Sequence, residues 1–277
     1  MSLVRPKYFS YDAVDLDYPA FSEVLGETDT KFVQIDDNHW KVECLYNGKT
    51  RYVSVTLHNE FNSQVPSVIF HHGAGETSYG VKLMGIKRIF SGCNLFTIQA
   101  QNHTSKRDYL LNCMQSFIDW TETFAGSVLA IEEIPNWHRA HSNNPFIVSG
   151  GSMGGIVTSL HFFYYGNADY YLPIVAHPNV GELFLGKYYE TIVDKRTERM
   201  KNKSLLSAFN IPKEVKDKAD RSKITVVLGK YDPIILYSTA NKFWKGFNVK
   251  AYNVGHASIV AKSQELRDII QSKIKAF

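Results

Sequence analysis

Residues 145–165 read PFIVSGGSMGGIVTSLHFFYY, and the way this stretch folds decides the rest. PFIVS is a short β-branched and aromatic run that suits a buried strand. GIVTSLHFFYY is an apolar stretch long enough for a helix. Between them Gly150-Gly151-Ser152-Met153-Gly154 forms G-x-S-x-G, which predicts a sharp strand-to-helix turn. A serine on such a turn is held close to strain, and flanking side chains would collide with neighbouring backbone. A helix starting just after Ser152 also aims its free N–H groups and its dipole at developing negative charge. Ser152 is the candidate nucleophile.

Outward from this turn, further short runs flank helix-compatible stretches. PSVIFHH (66–72), NLFTIQA (94–100), DYYLPIVA (169–176), KITVVLG (223–229) and FNVKAYNV (247–254) read as strands. Helices are expected over 78–90, 107–134, 153–165, 233–245 and 257–274. Strands alternating with helices imply a mostly parallel sheet covered on both faces. In front of these lie KFVQI (31–35), HWKVECLY (39–46) and TRYVSVTLHN (50–59), with Asn47-Gly48 as a hairpin signal between the last two. That section predicts antiparallel strands. The alternation breaks between 177 and 220, too long a stretch for a simple crossover, so it is read as a small helical cap inserted in a single domain spanning 1–277.

A serine hydroxyl is a poor nucleophile until a base takes its proton, so a histidine and an orienting carboxylate are expected downstream. Asp232 follows the strand KITVVLG, and His256 follows the last strand in Val254-Gly255-His256. Both stand at strand C-terminal ends, where open α/β sheets place their sites. Asp232 also suits a helix N-cap ahead of Pro233. The order Ser152, Asp232, His256 is the order that G-x-S-x-G hydrolases use. Acyl transfer needs donors for an oxyanion as well. The Met153 N–H is one, and His71-His72-Gly73-Ala74-Gly75 supplies the other, with Ala74 first and Gly73 or Gly75 as alternatives. His72 is expected to pack and bond behind this loop.

His72-Gly73-Ala74, the elbow at Ser152, Asp232 and His256 together resemble the α/β-hydrolase superfamily over roughly residues 50–277. The resemblance implies a mostly parallel eight-stranded sheet, a Ser–Asp–His triad and no cofactor. Gly155, following Gly154, is similar to the elbow of prolyl-oligopeptidase-like peptidases and related esterases, but the long propeller domain is missing. The loop also lacks the HGGG form of the hormone-sensitive-lipase-type branch.

The 277 residues, 44% hydrophobic, exclude a disordered or low-complexity chain. A net charge of +4 is far from that of a dedicated nucleic-acid binder. Cys44, Cys93 and Cys113 show no ligand spacing and are expected as small buried hydrophobes in a reducing compartment. No apolar run approaches the roughly 18 residues that span a bilayer, and the N-terminus lacks an apolar signal core, so a cytoplasmic protein is expected. His103, His138 and His141 show no spacing that converges with carboxylates, so no metal is expected. His177, also at a strand end, is expected as a pocket wall contacting substrate or as a satisfied loop histidine; as a base in place of His256 it comes too early, before the acid. In the cap, Phe184, Leu185, Tyr188, Tyr189, Ile192, Met200, Leu205, Leu206 and Phe209 either shape an acyl pocket or hold the cap down. The bases of 194–203 suit a solvated helix face or an anionic substrate.

The leading expectation is a serine hydrolase acting on a small-molecule ester of a small or medium acyl group. A small peptidase or amidase is the alternative within enzymes, separated by testing aminoacyl amides against simple esters. A ligand receptor or interaction module with an idle triad is the alternative outside them, since fold alone does not fix function.

Overall fold

The computed structural model describes residues 19–77, 79, 82–114, 116–184 and 210–277. Within them the chain runs α1 (Phe21–Glu27), β1 (Asp29–Gln34), β2 (His39–Tyr46), β3 (Lys49–Leu57), β4 (Ser67–His71), α2 (Lys82–Ile89) and β5 (Asn94–Gln99). A single helical turn, α3 (Lys106–Asp108), runs into a π-helical turn over Tyr109–Cys113. Then follow α4 (Phe117–His141), β6 (Phe146–Gly151), α5 (Met153–Tyr164), β7 (Tyr170–Ile174), α6 (Val180–Phe184), α7 (Lys213–Lys218), β8 (Thr225–Gly229), α8 (Tyr237–Phe243), β9 (Asn248–Tyr252) and α9 (Ser263–Ile274).

The strands form one mixed sheet in the order β1-β2-β3-β5-β4-β6-β7-β8-β9. The first three are antiparallel to their neighbours, and β4 through β9 are parallel to one another. The sheet has nine strands where the resemblance implies eight. The extra one is β1, which adds to the front of the β2–β3 hairpin through a full antiparallel ladder. Asn47 (φ 48°) and Gly48 (φ 72°) both take positive φ, the signature of a type I′ hairpin turn, whose twist matches that of the flanking strands.

Alternation along the central strands separates two cores. Ile69, Phe96 and Val148 face a layer with α4 and α5, while Val68, Leu95 and Ile147 face α2 and α9. Helix α5 is buried nearly all round, as expected of a helix held between sheet and a second helix. The expected helix over 107–134 divides, because Ser116 caps a new helix through its hydroxyl and the Asp119 amide (3.1 Å). That helix passes Pro135 and continues to His141, since burial of Ile134, Pro135 and His138 outweighs the lost amide donor. No described helix is long and apolar enough to cross a membrane.

The predicted cap at 177–220 is described only at its ends, by α6 and α7. Residues 185–209, with the apolar and basic side chains expected there, lie outside the described residues.

Strand β4 is flanked by β5 on one side and β6 on the other. Chain connections diverge there, and in open α/β sheets such a switch point leaves a crevice at the strands' C-terminal ends. The register pairs His71 with Gly150, so the loops leaving β4 and β6 emerge side by side.

Candidate active site

At the end of β6 the chain turns into α5 through Ser152, at φ 56° and ψ −116°. That conformation is sparsely populated by L-residues. Its neighbours show what the turn demands. A Cβ built on Gly150 would lie 2.4 Å from the Gly154 backbone, and one on Gly154 would lie 2.1 Å from the His71 carbonyl oxygen. One on Gly155 would meet the Ile174 carbonyl oxygen and the Ala176 side chain, both at 2.7 Å. At Gly151 a Cβ would meet nothing within 4 Å. Three of the four glycines are thus required by close packing, and one is not. The Ser152 amide donates to the Ile174 carbonyl (2.9 Å), tying the turn to β7. The next residue, Val175, itself sits at φ 46°, an outlier for a β-branched side chain. Two strained positions therefore stand against each other, and nothing in the sequence around Val175 signals it.

The second half of the site is assembled by β8 and β9. A Cβ on Gly229 would lie 2.7 Å from the Val254 carbonyl oxygen, so the two strand ends touch through backbone. The Lys230 and Tyr231 amides then donate to the Tyr252 and Val254 carbonyls (2.8 and 3.0 Å). This brings Asp232 to His256. Asp232 Oδ1 accepts the amides of Ile234 and Ile235, both at 2.8 Å. Its Oδ2 pairs with His256 Nδ1 at 2.7 Å. Asp232 is not the helix N-cap that the sequence suggests: Pro233 opens a turn whose amides it accepts, and the helix begins only at Tyr237, after Leu236. An acceptor at Nδ1 fixes the proton there, leaving Nε2 as a base. His256 Nε2 lies 2.8 Å from Ser152 Oγ. The serine hydroxyl caps no helix amide, so it is left to the histidine.

The loop after β4 faces this group. The Glu76 amide closes it as a turn on the Gly73 carbonyl (3.3 Å), and Gly75 takes φ 69° against the Tyr109 ring. A Cβ on Gly73 would lie 3.7 Å from the Gly151 carbonyl oxygen, so loop and elbow are in contact. Ala74 is exposed. Met153 opens α5, so its amide has no intrahelical acceptor. His72 lies behind the loop: Nδ1–H donates to the Gly73 carbonyl (2.8 Å) and Nε2 accepts the Ala100 amide (3.0 Å). His71, whose carbonyl walls Gly154, is fully buried and accepts the Ser127 hydroxyl at Nε2 (3.0 Å). Burial pushes its pKa down to about 3 and holds that of His72 well below the usual imidazole range. Both stay neutral, which is what their acceptor nitrogens require. His71 has no role in the sequence reading, and the His-His pair is the signal that marks the position.

His177 is buried, with Nε2 3.0 Å from Glu182 Oε2 and its ring against Phe243. Its described contacts are with α6 and α8, not with the Ser152, Asp232 and His256 group. Among the described residues no group of three or more His, Cys, Asp or Glu is placed to hold a metal ion. All three cysteines are free and buried, with thiol pKa values raised to about 11 for Cys93 and about 12 for Cys44 and Cys113.

No family model and no curated protein matches this chain. Solved structures do match. The chain is similar to Est1E from Butyrivibrio proteoclasticus at 13% identity and a TM-score of 0.59, covering 85% of this chain and 99% of that one. It is similar to the acetyl xylan esterase from Paenibacillus sp. R4 at 14% identity and a TM-score of 0.56, covering 93% and 92%. It also matches the Pyrococcus horikoshii acylaminoacyl peptidase at 11% identity and a TM-score of 0.57, covering 90% of this chain and 41% of that one. The chain has the α/β-hydrolase fold.

Proposed function

We propose that the chain is a serine hydrolase that cleaves a carboxylic ester of a small or medium acyl group. The observation that carries this is the hydrogen-bonded line from Ser152 through His256 to Asp232, at 2.8 and 2.7 Å. It stands at the sheet's switch point, on a turn kept in a strained conformation. Strain held at such cost is commonest where geometry serves function.

In this reading His256 Nε2 takes the Ser152 proton as Oγ attacks the ester carbonyl carbon. Asp232 holds the imidazole in its Nδ1–H tautomer and stabilises the imidazolium that forms. The amides of Met153 and Ala74 hold the oxyanion of the tetrahedral intermediate, with Gly73 shaping the approach. Losing one such donor typically costs about 10²–10³ in kcat. The intermediate collapses as the C–O bond to the alcohol breaks, and His256 returns the proton to the leaving oxygen. Water, deprotonated by His256, then attacks the acyl-enzyme and releases the acid and Ser152. The insertion at 177–220 is proposed to cap this site, with the buried His177 fixing its base through Glu182. The acetyl xylan esterase among the structural neighbours supports an ester substrate. The acylaminoacyl peptidase among them favours, as the second reading, an amide bond cleaved by the same residues.

The test is labelling by a fluorophosphonate probe, with the modified residue mapped by mass spectrometry, beside a panel of p-nitrophenyl esters and aminoacyl amides. Labelling is expected at Ser152 alone. Ser152→Ala is expected to lose labelling and about 10⁶-fold in kcat while remaining folded. Undiminished ester hydrolysis in that variant would falsify the mechanism, and faster turnover of amides would move the substrate to the second reading.

A further inference from the structure

The loop proposed to hold the oxyanion carries a carboxylate. Glu76 closes the loop turn with its amide, and its side chain folds back over the glycine at the start of that turn. A Cβ built on Gly73 would lie 3.1 Å from Glu76 Oε1 and 3.7 Å from the Gly151 carbonyl oxygen. One carboxylate oxygen therefore stands at the seam between the loop and the nucleophile elbow. The Lys82 ammonium donates a hydrogen bond to that same oxygen. Lys82 is the first residue of α2, and the first turn of that helix contains no acid. A helix N-terminus favours anions and disfavours cations, so the helix alone gives no reason for a lysine there. The partner across the loop does.

We propose that Lys82 is a positioning residue for the Ser152 reaction, acting through Glu76: it neutralises the carboxylate beside the oxyanion loop. The inference rests on the serine-hydrolase reading. An ester carbonyl carries no net charge, whereas the tetrahedral intermediate carries a full negative charge at its oxygen. A bare carboxylate next to the donor amides therefore opposes the transition state more than the bound ester. Its cost falls on kcat rather than KM. Lys82 pairs with Glu76 before substrate arrives, so the amides of Ala74 and Met153 meet the oxyanion without a competing anion. An ordinary ion pair at this exposure, 58% for Lys82 and 29% for Glu76, adds little to stability and would leave kcat alone.

The experiment is a charge-rescue cycle on the full chain with p-nitrophenyl acetate, accompanied by melting temperatures and fluorophosphonate labelling of each variant. Lys82→Met is expected to lower kcat by about tenfold at low ionic strength, with KM within about twofold. Raising salt to about 0.5 M should recover part of the loss by screening the half-buried carboxylate. Glu76→Gln/Lys82→Met is expected to return to within about threefold of wild type, since removing the anion removes the need for the cation. An unchanged kcat in Lys82→Met overturns the inference, as does a loss that the second substitution leaves in place. A wild-type protein that hydrolyses the ester while the cycle stays flat overturns this inference alone. A wild type that neither turns over nor labels overturns the serine-hydrolase reading, and this inference falls with it.

Discussion

The β2–β3 hairpin and the elbow at Ser152 each hold a non-glycine residue at positive φ, and they are built on opposite principles. At the β2–β3 hairpin Asn47 and Gly48 have φ 48° and 72°, and a Cβ on Gly48 would meet nothing within 4 Å. At the elbow Ser152 has φ 56°, and Cβ atoms on Gly150 and Gly154 would sit 2.4 and 2.1 Å from backbone. The hairpin glycine supplies a torsion, while the elbow glycines supply space. Asparagine visits the left-handed region at small cost, through its short polar side chain. Serine does not, and it is held at Ser152 by the hydrogen bond its amide donates to the Ile174 carbonyl and by the helix that starts beside it. A reversal on the surface needs only the right dihedral angles. One that lifts the proposed nucleophile above a sheet needs two backbones in contact, and those contacts stiffen it.

The heaviest test of this contrast is Gly154→Ala. The new methyl would have to displace the His71 carbonyl, which is a sheet residue fully buried in the core. We expect a loss above about 4 kcal/mol, enough to remove most of the folded protein. Thermal denaturation by circular dichroism reads it directly, and a melt close to wild type would show that the elbow can relax.

Next in size is Asp232→Asn, which leaves both reversals intact and changes only what the elbow serves. The side chain keeps an oxygen for the Ile234 and Ile235 amides but can present an N–H toward His256, favouring the wrong tautomer. A fall of about 10⁴ in kcat is expected with little change in melting temperature. A small kcat effect would mean that the line of hydrogen bonds does not serve the serine.

The two reversals also differ in how they announce themselves. Asn47-Gly48 is legible because a local dipeptide preference suffices, and G-x-S-x-G is legible because excluded volume admits only glycine at Gly150 and Gly154. Asp232 and His256 stand out because each follows the end of a strand by three or four residues, and the sheet brings those strand ends together. All nine strands coincide with short runs of β-branched or aromatic residues. The parts that resist reading are those set by long-range packing. Helix α1 is too short to show a period, and Val175 is strained by neighbours distant in sequence. Pro135 reads as a helix end, yet burial on both sides carries α4 past it. His177 looks like a site residue from its strand-end position, but its hydrogen bond goes to Glu182, which only the fold of α6 places there.

The wall behind the elbow carries buried histidines, and these make its stability depend on pH. His71 is neutral in the fold with a pKa near 3, against 6.5 for a free imidazole. As pH falls below about 6.5 the unfolded chain binds a proton there and the folded chain does not. Stability therefore falls through the window from about 6.5 to 3, by up to about 1.4 kcal/mol per pH unit for this group. His72, His103 and His161, also lowered by burial, add to the same slope. Urea midpoints across that window should drop steeply, and a flat profile would contradict neutral histidines behind the loop.

The smallest effects divide the contrast most finely, because they compare alanine at two glycines with open space around both. Gly48 has room for a Cβ but sits at φ 72°, so Gly48→Ala should cost about 1–2 kcal/mol in left-handed strain. Gly151 lies inside the elbow motif, one residue before Ser152, yet it has room and no positive φ. Gly151→Ala therefore meets neither obstacle and reduces the freedom of the unfolded chain. It should stabilise the fold by about 0.4–1 kcal/mol. Paired urea melts give the sign of each change. If both substitutions destabilise alike, space and torsion are not separable at these turns. If the signs are opposite, a glycine of the G-x-S-x-G motif is dispensable to the fold while one in a plain hairpin is not, and each is explained by its own backbone.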